Sequence, residues 1–192
     1  MNRTAEITRT TKETDIALRL CLDAGESDIQ TGIGFFDHML TAFAFHGGFG
    51  LSLRAEGDTQ VDCHHTVEDV GIALGTAFAR ALGDRKGIAR FGTAFVPMDE
   101  VLGFCSLDIS GRGFLRFDAE FPAAMIGGYD ASMTKEFMRG FAVNAGITLH
   151  LKCECGENAH HMAEALYKAL GRALRAAVKI EGGEVPSTKG ML

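Results

Sequence analysis

The 192-residue chain is written twice. His64-His65-Thr66-Val67-Glu68 returns 96 residues later as His160-His161-Met162-Ala163-Glu164, and these two blocks hold four of the seven histidines. The segments before them repeat as well. Leu51-Ser52-Leu53-Arg54-Ala55-Glu56 alternates like a half-buried strand, and Leu149-His150-Leu151-Lys152-Cys153-Glu154 does so 98 residues on. The change of shift from 98 to 96 implies a turn two residues shorter in the second half. Applied to His38, the shift of 98 lands on Glu136, another potential metal ligand on the corresponding helix. Such a chain folds as two like units, which commonly face each other across a pseudo-twofold axis.

Each unit reads as a small sheet followed by helix, strand and helix. Phe36, Leu40, Phe43 and Ala44 form one face of a helix that stops near Gly47-Gly48. Val67, Val70, Leu74, Phe78 and Ala81 form the apolar stripe of a helix that opens at the first histidine block and runs to Leu82. In the second unit, 135–142 is helical in pattern, Asn158 suits an N-cap, and Ala163, Leu166, Ala169, Leu170, Ala173 and Ala177 line a buried face. Residues 16–22, 101–108 and 112–121 are extended in character. The expected fold is α+β, an internally duplicated two-layer unit with a small mixed sheet and two helices per half, the sheets sharing one face of helices. The chain reads as a single domain of two repeats, approximately 8–92 and 93–182, with a tail at 183–192.

Imidazole and carboxylate together suit a borderline-to-hard divalent ion. On a helix, neighbouring residues point about 100° apart, so His64 and His65 cannot easily serve one ion. Glu68 pairs with either histidine, and the other faces elsewhere; the same holds for His160, His161 and Glu164. The blocks therefore feed two ions. With His38 and Glu136 there are eight donors, four per ion, and an octahedral ion keeps two open positions, as catalysis needs. Whether the blocks meet within one chain or between subunits is open. Thr66, Asp37 and Asp69 are candidates for orienting the imidazoles.

A net charge of −6 argues against nucleic acid as the main partner. No apolar stretch reaches the ~20 residues of a membrane span, and Met1-Asn2-Arg3-Thr4-Ala5-Glu6 does not open a signal peptide, so a cytoplasmic location is expected. Five cysteines without a C-x-x-C favour free thiols, and Cys153 and Cys155 read as small core residues. Pro186-Ser187-Thr188-Lys189-Gly190 is either an anion-binding tail or a polar terminus. Arg90 and Arg112, beside glycine-containing turns, are phosphate grips or surface cations. Lys168 is placed for an i,i+4 pair with Glu164.

Together, Gly34-Phe35-Phe36-Asp37-His38-Met39-Leu40, His64-His65-Thr66-Val67-Glu68-Asp69, Ser110-Gly111-Arg112, His160-His161-Met162-Ala163-Glu164-Ala165 and Pro186-Ser187-Thr188-Lys189-Gly190 resemble the imidazoleglycerol-phosphate dehydratase family over nearly the whole chain, from Arg9 to Leu192. The resemblance implies a hydro-lyase of histidine biosynthesis that converts imidazole glycerol phosphate to imidazole acetol phosphate through a metal-bound imidazolate and a diazafulvene-like species. It implies two Mn²⁺ per active site and a homo-oligomer, a twenty-four-subunit shell with sites between subunits. Carried over by position, the metal ligands are His38, His64, His65, Glu68, His160, His161 and Glu164. The family often has histidine where this chain has Glu136, which the repeat retains as a donor. Implied substrate contacts are Glu13, His46, Arg90, Arg112, Lys168, Ser187 and Lys189, with Glu13 the candidate for proton transfer. The competing readings from the residues are a dinuclear phosphate-ester hydrolase and a non-catalytic metal-binding assembly.

Overall fold

The computed structural model describes residues 3–190. Residues 1–2 of the chain's start and the last two residues of the 183–192 tail lie outside the described residues. The first half runs β1 (Thr4–Thr10), β2 (Thr14–Cys21), β3 (Asp28–Gln30), α1 (Gly34–Gly47), β4 (Gly50–Gly57) and α2 (His64–Leu82). The second runs β5 (Phe91–Met98), β6 (Val101–Asp108), β7 (Phe114–Asp118), a hairpin of β8 (Met125–Ile126) and β9 (Tyr129–Asp130), then α3 (Met133–Ala145), β10 (Thr148–Cys155) and α4 (Ala159–Ala177). The sheets have the orders β1-β2-β4-β3 and β5-β6-β10-β7. In both, the last strand lies parallel to its neighbour and the other pairs are antiparallel. One topology is thus used twice, and the β8–β9 hairpin is the insertion that distinguishes the second copy.

Binary patterning explains the layers. Ile16, Leu18 and Leu20 of β2 and Leu51, Leu53 and Ala55 of β4 are buried on one face, while Asp15, Ala17 and Arg19 face out. The stripe on α2 is buried from Val67 to Ala81, and so is that of α4 from Ala163 to Ala177. Both halves are two-layered, as expected, but the helical layer is not held in common. Each sheet carries its own helices, and α2 packs on α3 while α1 packs on α4. The order is sheet, helices, helices, sheet.

The helix–helix contacts are reciprocal. A Cβ added at Gly75 of α2 would lie 2.5 Å from the Phe141 carbonyl oxygen of α3, and one added at Gly171 of α4 would lie 2.5 Å from the Phe43 carbonyl oxygen of α1. Gly75 and Gly171 are related by the shift of 96, and Phe43 and Phe141 by that of 98. The same close approach therefore occurs twice, as a pseudo-twofold axis requires, and only a residue without a side chain fits at either place.

Two further sequence expectations change. The extended stretch expected at 112–121 contracts to Phe114–Asp118. Cys155 is exposed rather than in the core, because a register shift between Cys153 and Cys155 breaks the alternation against β6. Cys153 stays half-buried, and burial pushes its thiol up to about 12. None of the five cysteines forms a disulfide among the described residues. No helix among the described residues is long and apolar enough to cross a membrane.

Candidate active site

The start of α4 is set by its cap. The Asn158 side chain accepts from the backbone N–H of His160 at 2.9 Å and of His161 at 3.3 Å. This launches the helix at the histidine block and puts His160 and Glu164 one turn apart on one face. His160 Nε2 lies 3.2 Å from Glu164 Oε2. Helix α1 lies alongside and brings His38 Nε2 to 3.6 Å from the same oxygen. Among the described residues, His38, His160 and Glu164 are the one group of three or more His, Cys, Asp or Glu residues whose ligand atoms all lie within 4.8 Å of one another. Two imidazoles and a carboxylate, without sulfur, form a donor set that fits a divalent ion such as manganese or zinc.

Glu164 is buried, and its other oxygen accepts from Lys168 Nζ at 2.6 Å. Burial works against its charge, but Lys168 and the two imidazoles outweigh it and hold the carboxyl below its ordinary value. Lys168 thus makes the i,i+4 pair. Two turns along α1 from His38 stands His46, half-buried. Burial first, then the charges of Lys168 and Arg172, depress its pKa.

The first block is arranged differently. His64 Nε2 is 3.8 Å from Glu68, but Glu136 pairs with Arg139 at 3.0 Å and does not join them in a comparable cluster. The second histidine of each block faces acids from loops. His65 Nδ1 is 3.0 and 3.1 Å from the two oxygens of Asp58, with Glu13 at 3.8 Å. His161 Nδ1 is 2.9 Å from Glu100. These contacts raise the pKa of both imidazoles, and the His161 hydrogen bond is the largest cause that brings Glu100 down to about 2.

Asp58 and Glu100 were not among the residues singled out from sequence. Those proposed for the orienting role serve elsewhere. Asp37 accepts from the backbone N–H and hydroxyl of Thr31. Asp69 accepts from Arg9 and Thr14, tying α2 to the first hairpin. Thr66 Oγ1 is buried without a hydrogen-bond partner among the described residues. A signal for Glu100 does exist. Glu13 immediately precedes β2, Glu100 immediately precedes β6, and the two hairpins are related by a shift of 87. The repeat extends back to these turns.

Of the expected substrate contacts, Arg90, Arg112, Ser187 and Lys189 gather, while Lys168 stays with Glu164 at the histidine cluster. Arg85, Arg90, Ser110, Arg112, Ser187 and Lys189 line a cleft of about 570 Å³. Arg90 pairs with Asp108 at 2.7 Å and donates to the Pro186 carbonyl at 2.8 Å, so it also secures the tail. The Arg112 guanidinium is held by the Ser110 carbonyl at 3.3 Å, and the Lys189 backbone N–H donates to Ser187 Oγ. Arg85 was missed from sequence. Its buried Nε has no hydrogen-bond partner among the described residues.

The cleft and the histidine cluster lie at opposite ends of α4. The Arg90 backbone N–H donates to the carbonyl of Ala177, the last residue of α4. His160 stands at the other end, 17 residues back, about 26 Å along the axis.

The imidazoleglycerol-phosphate dehydratase family model matches residues 31–174. The imidazoleglycerol-phosphate dehydratase of Streptococcus mutans is 58% identical over 193 residues, covering 99% of this chain and all of that protein. That of Carboxydothermus hydrogenoformans is 53% identical over 191 residues, with the same coverage. Among solved structures, imidazoleglycerol-phosphate dehydratase from Staphylococcus aureus superposes with a TM-score of 0.85 at 38% identity, covering 92% of this chain and 99% of that one. IGPD from Pyrococcus furiosus also gives 0.85, at 42% identity over 97% of this chain and 100% of that one. Sequence and fold agree over essentially the full length: the chain belongs to the imidazoleglycerol-phosphate dehydratase family, the hydro-lyases that dehydrate imidazole glycerol phosphate in histidine biosynthesis.

Proposed function

We propose that the dehydration takes place at a site holding two Mn²⁺, assembled between subunits of a cytoplasmic homo-oligomer of the family's twenty-four-subunit kind. The observation that carries this reading is the separation along α4. The cluster stands at the His160 end of α4 and the cleft adjoins its Ala177 end, with about 26 Å of helix between those residues, more than a small phosphorylated imidazole can span. A neighbouring subunit would bring the two together.

The ligand arithmetic agrees. His38, His160 and Glu164 supply three donors for one ion. His64, Glu68 and Glu136 are their counterparts for the other. His65 and His161 have their Nδ1 atoms engaged, so each offers Nε2 as a fourth donor to a group on another chain. The chain is thus taken as one domain of two repeats, each giving half a site.

The substrate loses a hydroxyl from the carbon attached to its ring and a hydrogen from the next carbon, and the resulting enol becomes the ketone. No carbonyl activates either group. Bound divalent ions would supply Lewis-acid stabilisation of a deprotonated imidazole ring, which can push electrons outward to expel the hydroxyl. Arg90, Arg112, Ser187 and Lys189 would grip the phosphate through charge-assisted hydrogen bonds and fix its distance from the ring. Lys168 and His46 would line the approach along α1 and α4. Glu13, exposed on the β1–β2 turn beside His65, would move the proton, a role that typically contributes about 10²–10⁴-fold.

Incubation with imidazole glycerol phosphate and Mn²⁺ tests the reading. Formation of imidazole acetol phosphate is expected, whereas released inorganic phosphate would indicate a hydrolase and absence of turnover a binding assembly. Glu13→Gln should keep its manganese and lose at least about a hundredfold in kcat. Near-normal turnover would remove Glu13 from the mechanism.

A further inference from the structure

The two halves hold their second histidines with different acids, and the difference follows from one glycine. Two loop positions correspond between the halves. One is the residue just before the second hairpin strand, Glu13 before β2 and Glu100 before β6. The other is the residue just after the strand that leads into the histidine helix, Asp58 after β4 and Gly156 after β10. In the first half both positions carry acids. Asp58 takes His65 Nδ1 at 3.0 Å, and Glu13 stands back at 3.8 Å. In the second half position 156 has no side chain. A Cβ there would lie 2.7 Å from Val101 Cγ2 and 3.0 Å from Met162 Cγ, so the packing leaves an acid no room. Glu100 closes on His161 Nδ1 at 2.9 Å instead.

We propose that Asp58 and Glu100 are equivalent positioning residues, each fixing the Nδ1–H tautomer of its histidine so that Nε2 is left as the metal donor, and that Asp58 thereby releases Glu13 for the substrate. The proposal rests on the reading that His65 and His161 ligate manganese. An imidazole that donates Nδ1–H to a carboxylate keeps its lone pair on Nε2 and is locked in orientation. One acid suffices for this. At Nδ1 the second half has one acid, Glu100, and uses it, its other acid Asp99 facing Nε2 at 3.9 Å; the first half has two at Nδ1 and keeps a spare. The proposal predicts an asymmetry. His161 has no second acid on its Nδ1 side to replace Glu100, because Asp99 lies 3.9 Å from Nε2 instead, whereas Glu13 stands on the Nδ1 side of His65, close enough to replace Asp58.

The test is magic-angle-spinning ¹⁵N NMR of histidine-labelled, metal-free protein, paired with Mn²⁺ titration of the assembled protein. Glu100→Ala should move His161 out of the Nδ1–H form and weaken manganese binding at half of the sites by 10–100-fold. Glu100→Gln should restore both, because its amide oxygen still accepts from Nδ1–H. Asp58→Ala should keep the Nδ1–H form of His65 through Glu13 and bind manganese nearly normally, while kcat falls because Glu13 is diverted. Asp58→Ala with Glu13→Ala should lose the tautomer. An unchanged His161 tautomer in Glu100→Ala, or equal tautomer loss in Glu100→Ala and Asp58→Ala, would overturn the proposal. A tautomer change of the expected kind with unaltered manganese affinity supports the positioning role and instead refutes metal ligation by His161.

Discussion

The two histidine blocks share a sequence pattern, a helix start and a backbone frame, yet one closes into a donor cluster and the other does not. Around the second block the donors are two imidazoles and one carboxylate, and Lys168 offsets the carboxylate's charge. Around the first block, position 136 carries glutamate where its counterpart, position 38, carries histidine. Gathering there would bring two carboxylates onto one imidazole with Ile72 at the position equivalent to Lys168, and Glu136 pairs with Arg139 instead. Like charges close together destabilise one another unless a cation lies between them. Duplication has fixed where the backbone goes, and the charge of a single side chain decides whether the site closes without a metal.

The largest effect expected from this contrast is at Glu164. Glu164→Ala should abolish measurable turnover and remove one of the two manganese ions, since it deletes the acceptor common to His38, His160 and Lys168. Glu136→Ala should cost less, on the order of tenfold in metal affinity at the other ion. Equal losses, read by metal analysis and steady-state kinetics, would break the comparison.

Next comes the cleft. Arg112→Ala should raise KM by about 10–100-fold, the loss of one charge-assisted hydrogen bond to phosphate worth about 1.5–3 kcal/mol, with manganese content unchanged. A loss of manganese instead would place Arg112 at the metal end.

The smallest effects should be the most alike. Gly75→Ala and Gly171→Ala press a methyl against a carbonyl oxygen at the same depth in the two halves. Each should cost about 1–3 kcal/mol in stability. Denaturation midpoints that differ sharply between the two variants would show that the helix contacts are not reciprocal.

Much of this was legible in the sequence. The helices stood out because their apolar stripes keep the helical period, and Asn158 and Gly48 mark real boundaries. Strand β6 matched its expected limits, 101–108. Strand β5 was not singled out because Phe91 and Phe95 face outward and erase the alternation that marks a half-buried strand. Strand β1 offers only Ala5 and Ile7 to the core. At the site, the histidines and their i,i+4 glutamates were legible as local motifs. Glu100 was not, because it lies 61 residues from the imidazole it holds and on a different element. Arg85 escaped notice because nothing in its own neighbourhood ties it to the tail.

Completion of the site by a second chain is tested most directly by mixing two crippled proteins. His160→Asn removes a donor from the histidine cluster, and Lys189→Ala removes a cation from the cleft; each alone should be nearly inactive or weakly active. Co-assembled from both chains, a fraction of sites would combine an intact cluster with an intact cleft, approaching a quarter for random mixing, and activity should rise well above that of either parent. Verified mixed assemblies that regain no activity would contradict the account.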